Sequence, residues 1–291
     1  MSEPRLGFVD LPGVRLHVAQ AGPESGSPVL LLHGFPEFWW GWRRQIGPLA
    51  AAGHRVIAPD QRGYHLSDKP RGLSAYSLDR LAGDVSALLD ALGLARAAVV
   101  GHDWGAAVAW WTALRFPERV ERLAILNTPH PSAFRKLLLR DADQRRRARY
   151  MLYFQLPWLP ERKLAAGGFR PFRKIFRVSS RRGTFPEADL DRYAAAAATP
   201  GALTGMLAWY RAGLRRPPSR PAAVAVRAPT LILWGLEDVA LSPKLAGMSA
   251  GYCREAELVI LPEAGHWVQH EAAEEVNTRL LAFLARAPAA D

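Results

Sequence analysis

The stretch from Ala97 to Trp111 constrains this chain more than any other. Ala97-Ala98-Val99-Val100 reads as a buried strand and Ala106-Ala107-Val108-Ala109-Trp110-Trp111 as an apolar helix, with Gly101-His102-Asp103-Trp104-Gly105 between them. A strand that turns sharply into a helix is the setting of a nucleophile elbow. The two glycines have a steric purpose, because the central residue sits on a strained backbone and its neighbours must approach closely. The helix N-terminus below the turn favours negative charge. Position 103 is a carboxylate where such elbows usually carry serine. An aspartate is already ionised at neutral pH and can attack without a base. It suits displacement at an alkyl carbon, which leaves an ester that water must cleave. The turn therefore points to an enzyme that opens a strained or activated carbon–heteroatom bond.

The same alternation runs through the first 130 residues. Val29–Leu32, Arg55–Ala58 and Leu123–Leu126 read as buried strands, with segments of helical length such as Leu78–Leu92 between them. This predicts an α/β fold with a mainly parallel sheet and helices on both faces. The pattern stops at about Pro131, where helical spacing and arginines take over without a convincing strand. It resumes with Pro229–Trp234 and Glu257–Leu261, and a helix follows from about Glu271 to Arg286. The predicted organisation is a core of residues 1–130 and 221–291, with an all-helical cap of residues 131–220 over the C-terminal strand ends. The Pro/Arg-rich stretch Arg215–Pro221 reads as its hinge.

The chain has 291 residues, of which 49% are hydrophobic, so a sizeable core is affordable and disorder is excluded. Its single cysteine, Cys253, excludes an intrachain disulfide and is compatible with a reducing compartment. The N-terminus lacks signal-peptide character, and no segment reaches the ~18 apolar residues of a membrane span. A cytoplasmic enzyme is expected. The net charge of +11 is local: residues 131–220 carry 20 Lys/Arg against 6 Asp/Glu, and the remainder is net negative. No nucleic-acid motif accompanies it, so a solvated basic surface is expected rather than a nucleic-acid site. A homodimer is left open.

An ester on Asp103 needs a base. His266 follows the strand Glu257–Leu261 through Pro262–Gly265, which puts it at a strand end, where it can activate water. Asp238, just after the strand Pro229–Trp234, can fix its tautomer; Glu237 is adjacent. His33-Gly34-Phe35-Pro36 follows the first apolar strand, and nominates the Phe35 backbone N–H for an oxyanion hole, with that of Trp104 as the second donor. The aromatic residues Phe35, Trp39, Trp104, Trp209 and Trp267 suggest a pocket for an apolar or aryl-bearing substrate. No zinc-like Cys/His spacing or phosphate loop is visible, so no cofactor or metal is called for. His33 and His102 read as structural. His17, His54, His65, His130 and His270 receive no role.

Together these residues resemble the α/β-hydrolase superfamily, and within it the epoxide hydrolases. His33–Glu37, with Trp39 and Trp42-Arg43, is similar to the family's oxyanion segment. Asp60-Gln61-Arg62-Gly63-Tyr64 and Ser67-Asp68-Lys69-Pro70 are similar to its next loop, where His65 stands in place of a common glycine. The order nucleophile, acid, histidine also matches. Epoxide hydrolases use two cap tyrosines that donate to the epoxide oxygen. Tyr150–Pro157 resembles the segment bearing the first, with Tyr150 matching. Trp209-Tyr210-Arg211-Ala212 resembles the segment bearing the second, with Tyr210 matching. An alkoxide is a poor leaving group and needs such donors, whereas a halide does not.

The resemblance thus implies hydrolysis of an epoxide to a vicinal diol through an aspartyl ester. Dehalogenases sharing the Asp nucleophile are the alternative. One group places Asn or Glu where Phe35 stands, and another places Arg where Trp104 stands. A non-catalytic receptor of the same fold is the second alternative. The acid position that some relatives use after the preceding strand falls near Asn127, which favours Asp238.

Overall fold

The structure, a computed structural model, describes residues 3–219, 221 and 223–286. Eight strands form one sheet: β1 (Arg5–Leu11), β2 (Val14–Ala21), β3 (Pro28–Leu32), β4 (Arg55–Pro59), β5 (Ala97–His102), β6 (Val120–Leu126), β7 (Thr230–Gly235) and β8 (Ala256–Leu261). Their order is β1-β2-β4-β3-β5-β6-β7-β8. β2 runs antiparallel to both neighbours, β1 and β4, and every other pairing is parallel. All six strands expected from apolar runs are present. β3 to β7 were visible because parallel strands covered on both faces must be apolar throughout, and β5 and β7 are buried at every residue; β8 reads as apolar although Leu258 and Ile260 face solvent. β1 and β2 escaped the sequence reading. Most of β1 is solvent-exposed, so its residues are not forced to be apolar.

Helices Leu78–Ala91 and Trp104–Arg115 pack against each other and the sheet, and Arg43–Ala51 packs with Ala273–Leu284 on the other side. Trp104–Arg115 is buried almost all round, which explains its lack of a polar stripe. Its two tryptophans still satisfy their N–H groups: Trp110 donates to the Thr128 carbonyl at 3.1 Å and Trp111 to Asp79 at 2.9 Å.

Between β6 and β7 the chain leaves the sheet for six helices: Pro131–Arg140, Ala142–Arg147, Arg149–Tyr153, Leu159–Ser179, Glu187–Ala198 and Ala202–Arg215. Asp141 caps the second by accepting the Gln144 N–H at 2.9 Å. The fourth is broken over Ala166–Phe169, where Gly167 and Gly168 take φ of 56° and 66°. The last helix stops at Arg215, where the expected hinge begins; Arg220 within that hinge lies outside the described residues. Among the described residues no helix is long and apolar enough to cross a membrane.

Register places the chemistry. Leu32 of β3 pairs with Gly101 of β5, His102 with Leu126 of β6, and Leu126 with Leu233 of β7. The residues that follow these strands therefore emerge side by side along one edge of the sheet. Helix Ala202–Arg215 is seated on this edge by backbone contact: a Cβ on Gly205 would run into the Gly63 backbone.

Two glycine-to-alanine substitutions should therefore move stability in opposite directions. Gly205→Ala should destabilise by about 1–3 kcal/mol through overpacking, despite its better helix propensity. Gly83→Ala, inside Leu78–Ala91 with no atom within 4 Å of the new Cβ, should stabilise by about 0.4–1 kcal/mol. Denaturant midpoints test this; a Gly205→Ala midpoint at or above wild type contradicts the close seating of Gly205.

Candidate active site

Asp103 lies between β5 and the helix Trp104–Arg115, at the helix's N-cap, with φ 49° and ψ −125°. A non-glycine residue held there stores strain of order 1–3 kcal/mol, which the surroundings must over-determine. They do so by close packing. A Cβ on Gly105 would run into the Leu32 and His33 carbonyl oxygens. One on Gly34 would strike the Asp103 side chain, 2.7 Å from Oδ1.

This approach brings the Phe35 N–H to Asp103 Oδ1 at 2.7 Å. Trp104 is the first helical residue, so its N–H is one of the helix's donors without an intrahelical acceptor. Asp103 Oδ2 faces His266 Nε2 at 3.8 Å, beyond hydrogen-bond length.

His266 Nδ1 pairs with Asp238 Oδ2 at 2.8 Å, and both residues are buried. Burial disfavours the imidazolium, but the charge and hydrogen bond of Asp238 outweigh it. With further help from Asp103 and Glu37, the pKa of His266 is pushed up to about 9. Burial would raise Asp238, and His266, Asn127 and the Ala240 N–H together hold it below its ordinary value. Asp238 Oδ1 accepts the N–H groups of Ala240 and Leu241 at 2.7 and 3.0 Å, and Oδ2 accepts Asn127 Nδ2 at 2.8 Å. Asn127 is itself fixed by the Gly235 N–H, which donates to its Oδ1 at 2.8 Å. In the sequence Asn127 marks only an absent acid; in the fold it orients the acid that is present.

Tyr150 and Tyr210 come together, their rings 5.9 Å apart. Burial is the largest cause raising the pKa of both. The Asp103 carboxylate raises both further, and a hydrogen bond from Tyr210 partly offsets the shift at Tyr150. Tyr150 keeps 37% of its surface exposed. Arg211, unassigned from sequence, explains the pairing. Its guanidinium donates to the carbonyls of Phe154 (3.0 Å) and Leu156 (2.6 Å) and forms a fork with Glu161. Gln155 Nε2 adds a bond to the Tyr210 carbonyl at 2.9 Å. The Tyr150 segment is thereby fastened to the helix bearing Tyr210.

The expected aromatic lining divides in two. Phe35, Trp104 and Phe154, the last missed from sequence, surround Tyr210 at ring distances of 5.0–5.1 Å. The other three occupy different surroundings. Trp209 is fully buried, donates to the Arg62 carbonyl at 2.9 Å and packs on Tyr64 and Trp104. Trp267 packs on His102 and His266, with its indole donating to Ser179. Trp39 lies against Phe38 and Trp40.

Behind His266 runs a polar network the sequence did not announce. His102 Nε2 meets the His266 carbonyl at 2.9 Å. Glu37 accepts from Tyr193 (2.7 Å) and Gln269 (3.1 Å), and meets His270 Nε2 at 2.8 Å. It joins helix Glu187–Ala198 to the loop carrying His266 and holds that loop's backbone.

Comparison with known proteins shows the family. A model described as the α/β hydrolase fold matches residues 27–273. The chain is 44% identical to the AB hydrolase superfamily protein YfhM of Bacillus subtilis, over 98% of this chain and 99% of that protein. It is 36% identical to epoxide hydrolase A of Mycobacterium tuberculosis, over 98% of each. The crystal structure of Bacillus megaterium epoxide hydrolase in complex with an inhibitor aligns with a TM-score of 0.88 at 32% identity, covering 96% of this chain and 100% of that one. The chain thus belongs to the α/β-hydrolase superfamily and, within it, to the epoxide hydrolase family.

Proposed function

We propose that this chain hydrolyses a small apolar or aryl-bearing epoxide to a vicinal diol through an ester on Asp103. The observation that carries this reading is the division of labour around one carboxylate. Asp103 Oδ1 is held by the Phe35 N–H, Oδ2 faces His266, and both tyrosine hydroxyls lie in its electrostatic field. Residues 131–220 act as the cap over the core of residues 1–130 and 221–291, because they supply both tyrosines.

In the first half-reaction Asp103 Oδ2 bonds to an epoxide carbon as the ring C–O bond breaks. Tyr150 and Tyr210 donate to the opening oxygen, and their raised pKa values keep them protonated for that purpose. In the second, His266 takes a proton from water as the water adds to Cγ of the ester. The Phe35 and Trp104 N–H groups hold the oxyanion. Collapse breaks the Cγ–Oδ2 bond as His266 returns its proton to the departing alkoxide oxygen. The second water proton leaves the Asp103 carboxyl and restores the tyrosine donor, so the diol departs with Asp103 again a carboxylate.

The electrostatics support this order. With Asp103 ionised, His266 sits at about 9 and is mostly protonated at neutral pH. Esterification removes the Asp103 charge, one of the causes raising His266, so its pKa falls when a neutral base is needed. Ester decay in single turnover should therefore rise with pH and level off below pH 9. His266→Gln should still alkylate but stall, and mass spectrometry should find it heavier by one substrate. If the folded mutant stays unmodified by an epoxide that the wild type turns over, the assignment of His266 as hydrolytic base fails.

The tyrosines decide the substrate class. Tyr150→Phe or Tyr210→Phe alone should keep some epoxide opening, because one donor remains. The double variant should lose about 10²–10⁴ in alkylation rate, the usual scale of acid assistance, with a non-additive excess over the two single losses. Near-wild-type opening by the folded double variant would return the dehalogenase reading.

A further inference from the structure

A second buried polar cluster lies outside the proposed catalytic site. Asp60 follows β4 directly and is fully buried. Its Oδ1 accepts the Trp39 N–H at 2.9 Å. Its Oδ2 meets two imidazoles at once: His17 Nδ1, from β2, at 2.7 Å and His65 Nδ1, from the loop after β4, at 2.8 Å. The three side-chain donor atoms lie within 4.8 Å of one another. His17 is buried, whereas the His65 side chain is 20% open to solvent, which leaves the cluster one accessible side. His65 holds φ at 39°, in the left-handed region. An imidazole thus occupies a backbone position that favours glycine.

We propose that His17, Asp60 and His65 bind one divalent transition-metal ion of the zinc class. Two imidazole nitrogens and a carboxylate oxygen are the donor set such ions take, with water completing four-coordination on the open side. Bonds of about 2.0–2.2 Å in a tetrahedron separate donor atoms by roughly 3.3–3.5 Å. The two Nδ1···Oδ2 separations, 2.7 and 2.8 Å, must therefore open by about 0.5–0.8 Å, within reach of side-chain rotations. Each ring now shares its Nδ1 proton with Asp60. On binding, that proton moves to Nε2 and the Nδ1 lone pair turns to the ion.

The support around the three ligands is already built. Asp60 N–H donates to the His17 carbonyl at 2.8 Å, and His17 N–H donates to Ser67 Oγ at 2.8 Å. Ser67 Oγ in turn donates to the Asp60 carbonyl at 2.5 Å. Phe8 and Phe38 flank the His17 and His65 rings at 5.2 and 4.7 Å. Such outer contacts orient ligands and tune affinity. Lys69, held on the Ser67 carbonyl at 2.7 Å, is a positive charge in the same loop and opposes the ion. The same loop seats the helix bearing Tyr210, through the Arg62 carbonyl bond to Trp209 and the contact of Gly63 with Gly205. An ion that ties β2 to this loop would stiffen that seat.

The test uses tag-free, metal-stripped protein and cobalt(II) as the probe. Visible d–d absorption should saturate at one equivalent, and proton NMR should show two paramagnetically shifted, exchangeable imidazole N–H signals. The melting temperature should rise with added cobalt or zinc, because the ion binds only the folded state. His65→Asn and His65→Gly both tolerate the left-handed backbone. In each, binding should weaken at least about tenfold, one shifted signal should vanish and the thermal shift should collapse. Either variant is decisive if the other does not fold. Absence of stoichiometric cobalt binding in the wild type overturns the proposal. Wild-type affinity in the His65 variants overturns it equally, because the ion is then held elsewhere.

Discussion

The close approach of Gly34 and Gly105 to the β5 turn is the constraint on which the rest depends. A side chain at either position would displace the Asp103 elbow or push β3 away from it. With both bare, Asp103 is forced into a left-handed backbone conformation and its carboxylate meets the Phe35 N–H at 2.7 Å. The strain of that conformation is held by a helix buried nearly all round and by parallel strands buried on both faces. Stability elsewhere thus keeps a reactive group in one place.

Charge is handled with the same economy. Asp238, Glu37 and Asp60 are buried carboxylates, each surrounded by N–H donors and imidazoles. Bare burial would neutralise them. Distributing several donors to each keeps them ionised, and each then fixes the orientation of its histidines. At His266 the proton affinity depends in part on the charge of Asp103, and in the mechanism proposed above this one electrostatic contact couples the two half-reactions. The basic surplus of residues 131–220 is partly spent inside: Arg211 forks to Glu161 and closes the tyrosine pair.

The central architecture was legible because burial on both faces leaves no freedom: β3, β5, β6 and β7 must read as apolar runs. The elbow was legible because strand, glycines and helix fall within fifteen residues. β1 was not, because an exposed edge tolerates polar residues; β2 was not, because its buried face includes His17 and its ends carry Arg15 and Gln20, which break the apolar run. Tyr150 and Tyr210 could be nominated only through resemblance to a family, since no local periodicity distinguishes Tyr150 from Tyr153. Asn127, Arg211 and Glu37 were hidden for another reason. Their partners lie up to 233 residues away along the chain, and such contacts exist only once the sheet and cap have closed. His65 showed itself in the sequence only as a departure from a common glycine. Its meeting with His17 and Asp60 is a product of tertiary structure.

The central claim is that the oxygen transferred to substrate comes from Asp103 and is replaced by water afterwards. A single turnover in ¹⁸O-water, with enzyme in excess over epoxide, tests it directly. Asp103 is the sole acidic side chain between Arg96 and Arg115, so the tryptic peptide spanning residues 97–115 reports it without ambiguity. The account predicts an unlabelled diol and one ¹⁸O in that peptide. A diol carrying ¹⁸O from the first turnover, with the peptide unlabelled, would mean that water attacks the epoxide itself and that Asp103 is not the nucleophile.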